Sequence, residues 1–325
     1  MTVDILFVLV GLVALVIGGE FLVRGATALS LRLGLTPLIV GLTVVAFGTS
    51  APEMIVSVAA VLNGSPDIAL GNVIGSNIAN VLIVLGLPAL IAGIRTDQAD
   101  LRESWALMVA ATLLVMLFAH AGPIHWPQGL IMLGGLVLVV WRQITTARRE
   151  AAAMSTTMTP AATTDAELGV ELGAGVEVTP LPRILMWLGI GLVALPLGGQ
   201  VLVSGATDIA RVLGISEAVI GLTLVAVGTS LPELATSVIA ALRGRADLAL
   251  GNVIGSNIFN ILSILGVTAL VGTLSVPEQM LDRDLWIMLA TALLPAPFLF
   301  LGWPLGRLAG AGFLAAYGLY VGAML

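Results

Sequence analysis

Two segments of this 325-residue chain occur twice, and the two copies of each lie 180 residues apart. Residues 41–53 (GLTVVAFGTSAPE) match residues 221–233 (GLTLVAVGTSLPE) at ten of thirteen positions. Residues 67–80 (DIALGNVIGSNIAN) match 247–260 (DLALGNVIGSNIFN) at twelve of fourteen positions. A constant offset over separate segments indicates that the chain contains two copies of one structural unit.

The chain is too apolar to be a soluble protein. Apolar residues make up 58% of the chain and charged residues 10%, whereas soluble domains carry about 25% charged residues. A membrane-spanning helix needs about 20 mostly apolar residues. On this criterion we predict an all-α, polytopic membrane protein with ten transmembrane helices, at residues 4–30, 37–62, 68–94, 104–121, 126–142, 183–210, 217–242, 248–273, 284–301 and 305–324.

The ten predicted spans form two groups of five on either side of a polar segment. We predict a first five-helix repeat at 1–142, a cytoplasmic linker at 143–182 and a second repeat at 183–325. Because five is odd, the second repeat enters the membrane from the opposite side and is inverted. Transporters built from inverted repeats place their ion sites near the membrane midplane. The alternative, that the repeated glycines serve only close helix packing, does not explain an acid in each copy.

The arginines predict how the chain is oriented. Arginine supplies all thirteen basic residues. If the N-terminus is outside, eleven of them lie on or near the cytoplasmic side, and only Arg211 and Arg283 lie outside. Because basic residues are enriched in cytoplasmic loops, we predict that both termini are outside.

Residues 150–182 do not resemble a membrane segment, because they are rich in Ala, Thr, Gly and acidic residues. This composition is typical of a solvated, largely disordered tether. The alternative is a regulatory cation site formed by the acidic side chains of Asp165, Glu167, Glu171 and Glu177.

One acid lies in the middle of an apolar span in each copy, Glu53 in the first and Glu233 in the second. A charge at the centre of a bilayer costs a few kcal/mol, so such residues are rare and usually functional. The chain has no lysine, and no arginine is close to either motif in the sequence. We expect bound cations or protons to neutralise the two carboxylates; a structural salt bridge is the alternative.

A proline interrupts the helix beside each glutamate. Pro52 and Pro232 lack an N–H group and clash with the carbonyl four residues earlier, so we expect the helix to kink or break. Broken helices are tolerated at membrane depth where they line a polar cavity. Oxygen atoms near each break are therefore candidate ligands: the carbonyls of Ala46 and Ala226, and the side chains of Thr49, Ser50, Thr229 and Ser230.

A polar stripe follows in the next helix of each copy. Its members are spaced by four residues and share a helix face: Asn72, Ser76 and Asn80 in the first copy, and Asn252, Ser256 and Asn260 in the second. For the first asparagine of each triplet, a structural hydrogen-bond ladder and ligation both remain open. We predict that the serine and the last asparagine are ligands. Asn77 and Asn257 are predicted to point elsewhere and to serve packing or helix-stabilising contacts.

The predicted ligands are all oxygen atoms, and two of them are carboxylates. Calcium takes six to eight hard oxygen ligands, and sodium is a hard cation of similar size, so the site suits calcium, sodium or both in competition. Zinc, copper and iron prefer His or Cys, and the chain has no cysteine and two histidines. No basic patch predicts nucleic-acid binding, and no GxxxxGK[ST] loop predicts the use of ATP.

The four motifs, in this order and at this spacing, resemble the two alpha-repeats of the sodium/calcium exchanger family within the calcium/cation antiporter superfamily. The resemblance covers nearly the whole chain apart from the linker. It implies that Glu53 and Glu233 are the central carboxylates shared by calcium and sodium. It also implies that the first and sixth spans form a gating pair that slides across the core. The further ligands that it implies are Ala46, Thr49, Ser50, Ser76, Asn80, Ala226, Thr229, Ser230, Ser256 and Asn260.

The resemblance implies a secondary antiporter that exchanges calcium for sodium by alternating access. Some relatives carry an aspartate at the position of Asn260, and the amide here favours potassium independence. A proton/calcium antiporter is the near alternative, a cation channel the next, and an intramembrane hydrolase using Ser50 or Ser230 the least favoured. We expect no enzymatic activity, no cofactor, a monomeric functional unit in the lipid bilayer, and a bacterial inner membrane.

Overall fold

The computed structural model describes residues 2–94, 99–157, 179–214 and 226–323, and this part of the chain is almost entirely helical. The first half contains α1 (Thr2–Leu33), α2 (Pro37–Val40), π1 (Gly41–Val45), α3 (Ala46–Thr49), α4 (Ala51–Leu62), α5 (Pro66–Ala79), π2 (Asn80–Val84), α6 (Gly86–Ala92), α7 (Ala99–Ala121) and α8 (Trp126–Thr157). The second half contains α9 (Leu181–Val212), α10 (Ala226–Thr229), α11 (Leu231–Leu242), α12 (Ala246–Phe259), π3 (Asn260–Ile264), α13 (Leu265–Val271), π4 (Met280–Asp284), α14 (Leu285–Leu293), α15 (Ala296–Leu301) and α16 (Arg307–Gly322).

The helices confirm the predicted class, an all-α polytopic membrane protein. Within the described residues, seven helical segments are long and apolar enough to cross a membrane, and the bent pair Pro37–Thr49 and Ala51–Leu62 makes an eighth. The predicted seventh span begins among residues 215–225, which lie outside the described residues. The count of ten spans and the inverted orientation therefore stay predictions.

Part of the predicted tether is helical. The helix α8 does not end at 142 but continues to Thr157, so the expectation of disorder is wrong for residues 150–157. The physical reason lies in the sequence ARREAAAM, because alanine, arginine, glutamate and methionine have high helix propensity. The four acids of the alternative cation site, Asp165, Glu167, Glu171 and Glu177, lie outside the described residues.

The long helices α1 and α9 pack tightly against each other through glycines. A Cβ atom on Gly205 would lie 2.5 Å from the carbonyl oxygen of Asp4, and one on Gly198 would lie 2.9 Å from Cβ of Ala14. Small residues of this kind let two membrane helices approach closely, which increases van der Waals contact. The neighbouring glycines face the other way: Gly19 lies against Ala235 and Ile239 of α11.

Equivalent residues of the two halves make reciprocal contacts. The N–H group of Ile94 donates to the carbonyl of Leu305 over 2.9 Å, and that of Ile124 donates to the carbonyl of Leu274 over 2.9 Å. Leu274 is the repeat equivalent of Ile94, since 94 + 180 = 274, and Leu305 lies one residue after the equivalent of Ile124, which is Pro304. Such a near-exchange of partners between two copies is what an approximate two-fold axis produces.

Candidate cation-binding site

The helices that carry the two glutamates are broken one turn before them. Ser50 separates α3 from α4 with φ −83° and ψ 3°, and the two helical pieces are bent by 42°. Ser230 has almost the same backbone angles, φ −87° and ψ 6°, before α11. In each case a proline occupies the first turn of the following helix, where its missing N–H group needs no partner. The predicted break is therefore present in both copies.

Glu53 and Glu233 lie at the centre of the molecule. Only 1% and 0% of their surfaces are exposed. Each lies in the first turn of its helix, where the positive end of the helix dipole favours an anion. Within the described residues, no arginine forms an ion pair with either one. A salt bridge is thus not what neutralises them there.

Hydroxyl groups at the first break connect the two halves. The Ser50 hydroxyl donates to Oε1 of Glu233 over 3.2 Å. The Thr49 hydroxyl donates to Oδ1 of Asn252 over 3.2 Å, and it also lies 3.3 Å from the carbonyl oxygen of Ala46. These contacts place one copy's serine and threonine beside the other copy's glutamate and asparagine.

The first asparagine of each polar stripe forms a structural ladder. Nδ2 of Asn72 donates to the carbonyl of Glu53 over 3.3 Å and to the Ser57 hydroxyl over 2.9 Å. Nδ2 of Asn252 repeats this arrangement with the carbonyl of Glu233, at 3.2 Å, and the hydroxyl of Ser237, at 3.0 Å. Both serines are fully buried, and neither was predicted from the sequence. The sequence did carry a signal for them, because Ser57 and Ser237 are separated by the same 180 residues as the repeated motifs.

The last asparagine of each stripe is held by the opposite half. Nδ2 of Asn80 donates to Oδ1 of Asn257 over 3.0 Å, and Nδ2 of Asn260 donates to Oδ1 of Asn77 over 3.2 Å. The sequence predicted packing or helix-stabilising contacts for Asn77 and Asn257. The structure adds a contact between the halves, since their side chains accept hydrogen bonds from two candidate ligands. The reason is geometric: each helix changes to a wider π-helical turn at the candidate ligand, in π2 and π3. Such turns occur frequently at functional sites.

Buried oxygen atoms without a hydrogen-bond partner concentrate at this centre. Buried polar atoms in native proteins nearly always have a partner, and an exception points to a water, an ion or a catalytic role. Within the described residues, six of these atoms belong to predicted ligands: Oε2 of Glu53, Oε2 of Glu233, Oγ of Ser230, Oγ of Ser256, Oδ1 of Asn80 and Oδ1 of Asn260. All six are oxygens, the ligand type that hard cations prefer.

Four predicted ligands remain. They lie on the broken helices and on the first polar stripe: Ala46, Ser76, Ala226 and Thr229. Ser76 is buried and lines a cavity of about 210 Å³ together with Asn72 and Asp284. The Ala46 carbonyl accepts the N–H group of Ser50 over 3.0 Å, so the break does not free it, and ligation would use its second lone pair. Ala226 and Thr229 lie in the short helix before Ser230. Ligation by all twelve residues stays a prediction.

The chain is a helical membrane protein whose two halves share a buried centre of carboxylate, hydroxyl and amide oxygens. These features place it in the class of ion-transporting membrane proteins. Within that class, the chain belongs to the sodium/calcium exchanger family, whose model, described as "Sodium/calcium exchanger protein", matches residues 3–145 and 183–325. Calcium/cation antiporters are transporters, and their substrates are ions that cross a lipid bilayer.

Relatives over most of the chain support this assignment. The sodium/calcium exchanger MaX1 of Methanosarcina acetivorans is 34% identical, covering 97% of both chains. The inner membrane protein YrbG of Escherichia coli is 35% identical over 70% of this chain and 67% of its own. The solved structure of the sodium-calcium exchanger NCX_Mj, soaked with zero Na⁺ and Ca²⁺, superposes with a TM-score of 0.81 and 30% identity over 99% of both chains.

Proposed function

We propose that this protein exchanges calcium for sodium by alternating access at the centre between Glu53 and Glu233. The observation that carries the proposal is the burial of two carboxylates from opposite halves, each with an oxygen that no described group satisfies. Burying an anion without a partner is expensive, so the site is stable only when a cation or a proton compensates the charge. Two carboxylates match the charge of one calcium ion.

Competition at one site supports antiport rather than independent transport of each ion. Calcium and sodium are both hard cations that accept carboxylate, hydroxyl and amide oxygens. If only a compensated site permits the conformational change, the site crosses from side to side either with calcium or with sodium. The name of MaX1 and the soaking of NCX_Mj with Na⁺ and Ca²⁺ support this pair of ions for the present chain.

The packing of α1 and α9 supports a pair that moves as one body. Gly198 and Gly205 lie at the contact between the two helices, so that contact is tight. Gly199 instead faces the broken helix of the second half, where a Cβ atom on it would lie 3.6 Å from Leu231 and 3.9 Å from Pro232. Other contacts with the core are closer, since a Cβ atom on Gly228 would lie 2.4 Å from Cγ2 of Val203 in α9. Support for sliding therefore comes from the tight pairing of α1 with α9, and not from a loose fit on the core.

A flux assay in sealed vesicles tests the proposal. Vesicles that contain the purified protein are loaded with sodium, diluted into sodium-free buffer with radioactive calcium, and compared with vesicles loaded with potassium or choline. We expect calcium uptake only in the sodium-loaded vesicles, and none in protein-free vesicles. No uptake under a sodium gradient would overturn the proposal.

A proton/calcium antiporter is the second candidate, because the same buried carboxylates can carry protons. An imposed pH gradient without sodium separates the two, since only a proton-coupled protein then accumulates calcium. For localisation we propose the bacterial inner membrane, which the name of YrbG supports, with both termini outside and a monomer as the functional unit.

A further inference from the structure

A second cavity, of about 480 Å³, lies away from the glutamates between α1, α9 and the connection from α11 to α12. Four arginines line it and, among the described lining residues, Glu20 is the one acid, which gives a net charge of 4 − 1 = +3. The arginines are Arg24, Arg32, Arg243 and Arg245. This charge is concentrated in a chain that has only thirteen basic residues.

Two of the four arginines share the single negative charge of Glu20. Arg24 and Arg243 both form ion pairs with this carboxylate. Nε of Arg245 is buried without a hydrogen-bond partner among the described residues, and its distance of 3.9 Å from Oδ1 of Asp247 is too long for a hydrogen bond. Arg32 is exposed and forms no ion pair within the described part of the chain. The cavity therefore keeps a net positive charge, because within the described residues the guanidinium of Arg32 lacks an anion and that of Arg245 has one only at 3.9 Å.

Apart from Thr27 and Thr179, the rest of the cavity wall is apolar. Val23, Ala28 and Leu31 of α1 and Trp187 of α9 lie beside the arginines. The cavity lies toward the C-terminal end of α1 and just after the end of α11, where apolar helices give way to polar connections. Tryptophan and arginine together are typical of the membrane–water boundary. An occupant must therefore carry an anionic group and an apolar part.

We propose that this cavity binds the phosphate of an anionic phospholipid. Arginine binds phosphate oxygens in a bidentate manner, and basic pockets between membrane helices on the cytoplasmic side bind anionic lipid headgroups. Here Arg32 and Arg245 bind the phosphate, while the acyl chain lies against Leu31 and Trp187. A free phosphate ion would satisfy the arginines but would leave the apolar wall unused, so lipid is the favoured source.

Binding is tested on the purified full-length protein by native mass spectrometry with phosphatidylglycerol, with phosphatidylcholine of the same chains, and with inorganic phosphate. We expect phosphatidylglycerol to remain bound and the other two probes not to. Removing one guanidinium should weaken binding about fivefold, and R32Q/R245Q should weaken it about 20-fold. The matched control is R307Q, an exposed arginine of α16 outside the cavity, with less than a twofold change.

The variant Glu20→Gln should strengthen the binding of phosphatidylglycerol, whereas the arginine variants should weaken it. It removes the acid that competes for Arg24 and Arg243, so phosphatidylglycerol should bind about fivefold more tightly. If R32Q/R245Q does not fold, the single variant R32Q still tests the proposal, because Arg32 is exposed and its replacement leaves the core unchanged. Equal binding of phosphatidylcholine, binding of inorganic phosphate alone, or equal loss in R307Q would each overturn the proposal.

Discussion

The hydroxyl of Ser50 donates a hydrogen bond to Oε1 of Glu233 over 3.2 Å, joining residues 183 positions apart in the chain. Ser50 lies at the break of one half, and Glu233 in the first turn after the break of the other. A cation bound at Glu233 therefore acts on the backbone of both halves. We expect this contact to link ion occupancy to the relative position of the two broken helices.

Replacing either central glutamate with glutamine should abolish calcium binding. Glu53→Gln and Glu233→Gln each leave one carboxylate for a divalent ion. At calcium concentrations about 100 times Kd, binding should stabilise the unmodified protein by about 2.7 kcal/mol, and this gain should disappear in both variants. The measurement is thermal unfolding in detergent with and without calcium.

The control for these variants is Glu103→Gln, which removes a surface carboxylate paired with Arg142. Exposed ion pairs contribute little stability, so this variant should keep the full calcium effect. Retention of calcium stabilisation in Glu53→Gln or Glu233→Gln would show that calcium binds elsewhere.

The sequence predicted those parts of the site that follow from helix period and residue chemistry. Pro52 and Pro232 predicted the breaks, because an interior proline removes a backbone hydrogen bond and kinks or breaks the helix. Glu53 and Glu233 predicted the anionic centre, because acids are costly in a membrane. Both conclusions require only the residues themselves and their distance from the span ends.

Contacts between distant elements were beyond sequence reasoning. The pairing of Asn260 with Asn77 depends on how two helices cross and on the π-helical turn that begins at Asn260, and neither leaves a periodic signal. Arg243 contacts Glu20 over 223 positions, and no local spacing in the sequence indicates that pair.

Asn77 should position a ligand rather than serve as one. Asn77→Ala leaves Nδ2 of Asn260 without its acceptor, and a buried unsatisfied group costs about 1–3 kcal/mol. We expect a loss of stability in this range and calcium binding about tenfold weaker, measured by calcium titration of the thermal midpoint.

The matched control is Asn63→Ala, which removes an exposed amide at the end of α4 and should change neither quantity. A fall in stability for Asn77→Ala with unchanged calcium affinity would contradict the positioning role and leave only a structural one.

The tight contact between α1 and α9 should not tolerate a methyl group. In Gly205→Ala the new Cβ would lie 2.5 Å from the carbonyl oxygen of Asp4, so the helices must move apart. Overpacking of this kind costs about 1–3 kcal/mol, measured as the free energy of unfolding. Gly189 lies in the same helix with no atom within 4 Å of its Cβ position, so Gly189→Ala should be neutral or stabilising, because alanine favours helix. Equal effects of the two changes would refute the contact.

Two serines on the two sides of Glu233 should separate the structural ladder from ion ligation. The hydroxyl of Ser237 lies 3.0 Å from Nδ2 of Asn252, whereas that of Ser230 has no partner among the described residues. Ser237→Ala should therefore lower the free energy of unfolding by about 1 kcal/mol and leave calcium affinity unchanged. Ser230→Ala should do the reverse, since it removes an oxygen that only an ion uses: stability without calcium stays the same, and the calcium-dependent shift of the thermal midpoint shrinks. If both variants lose stability alike and keep their calcium response, Ser230 is part of the scaffold and the ion is held without it.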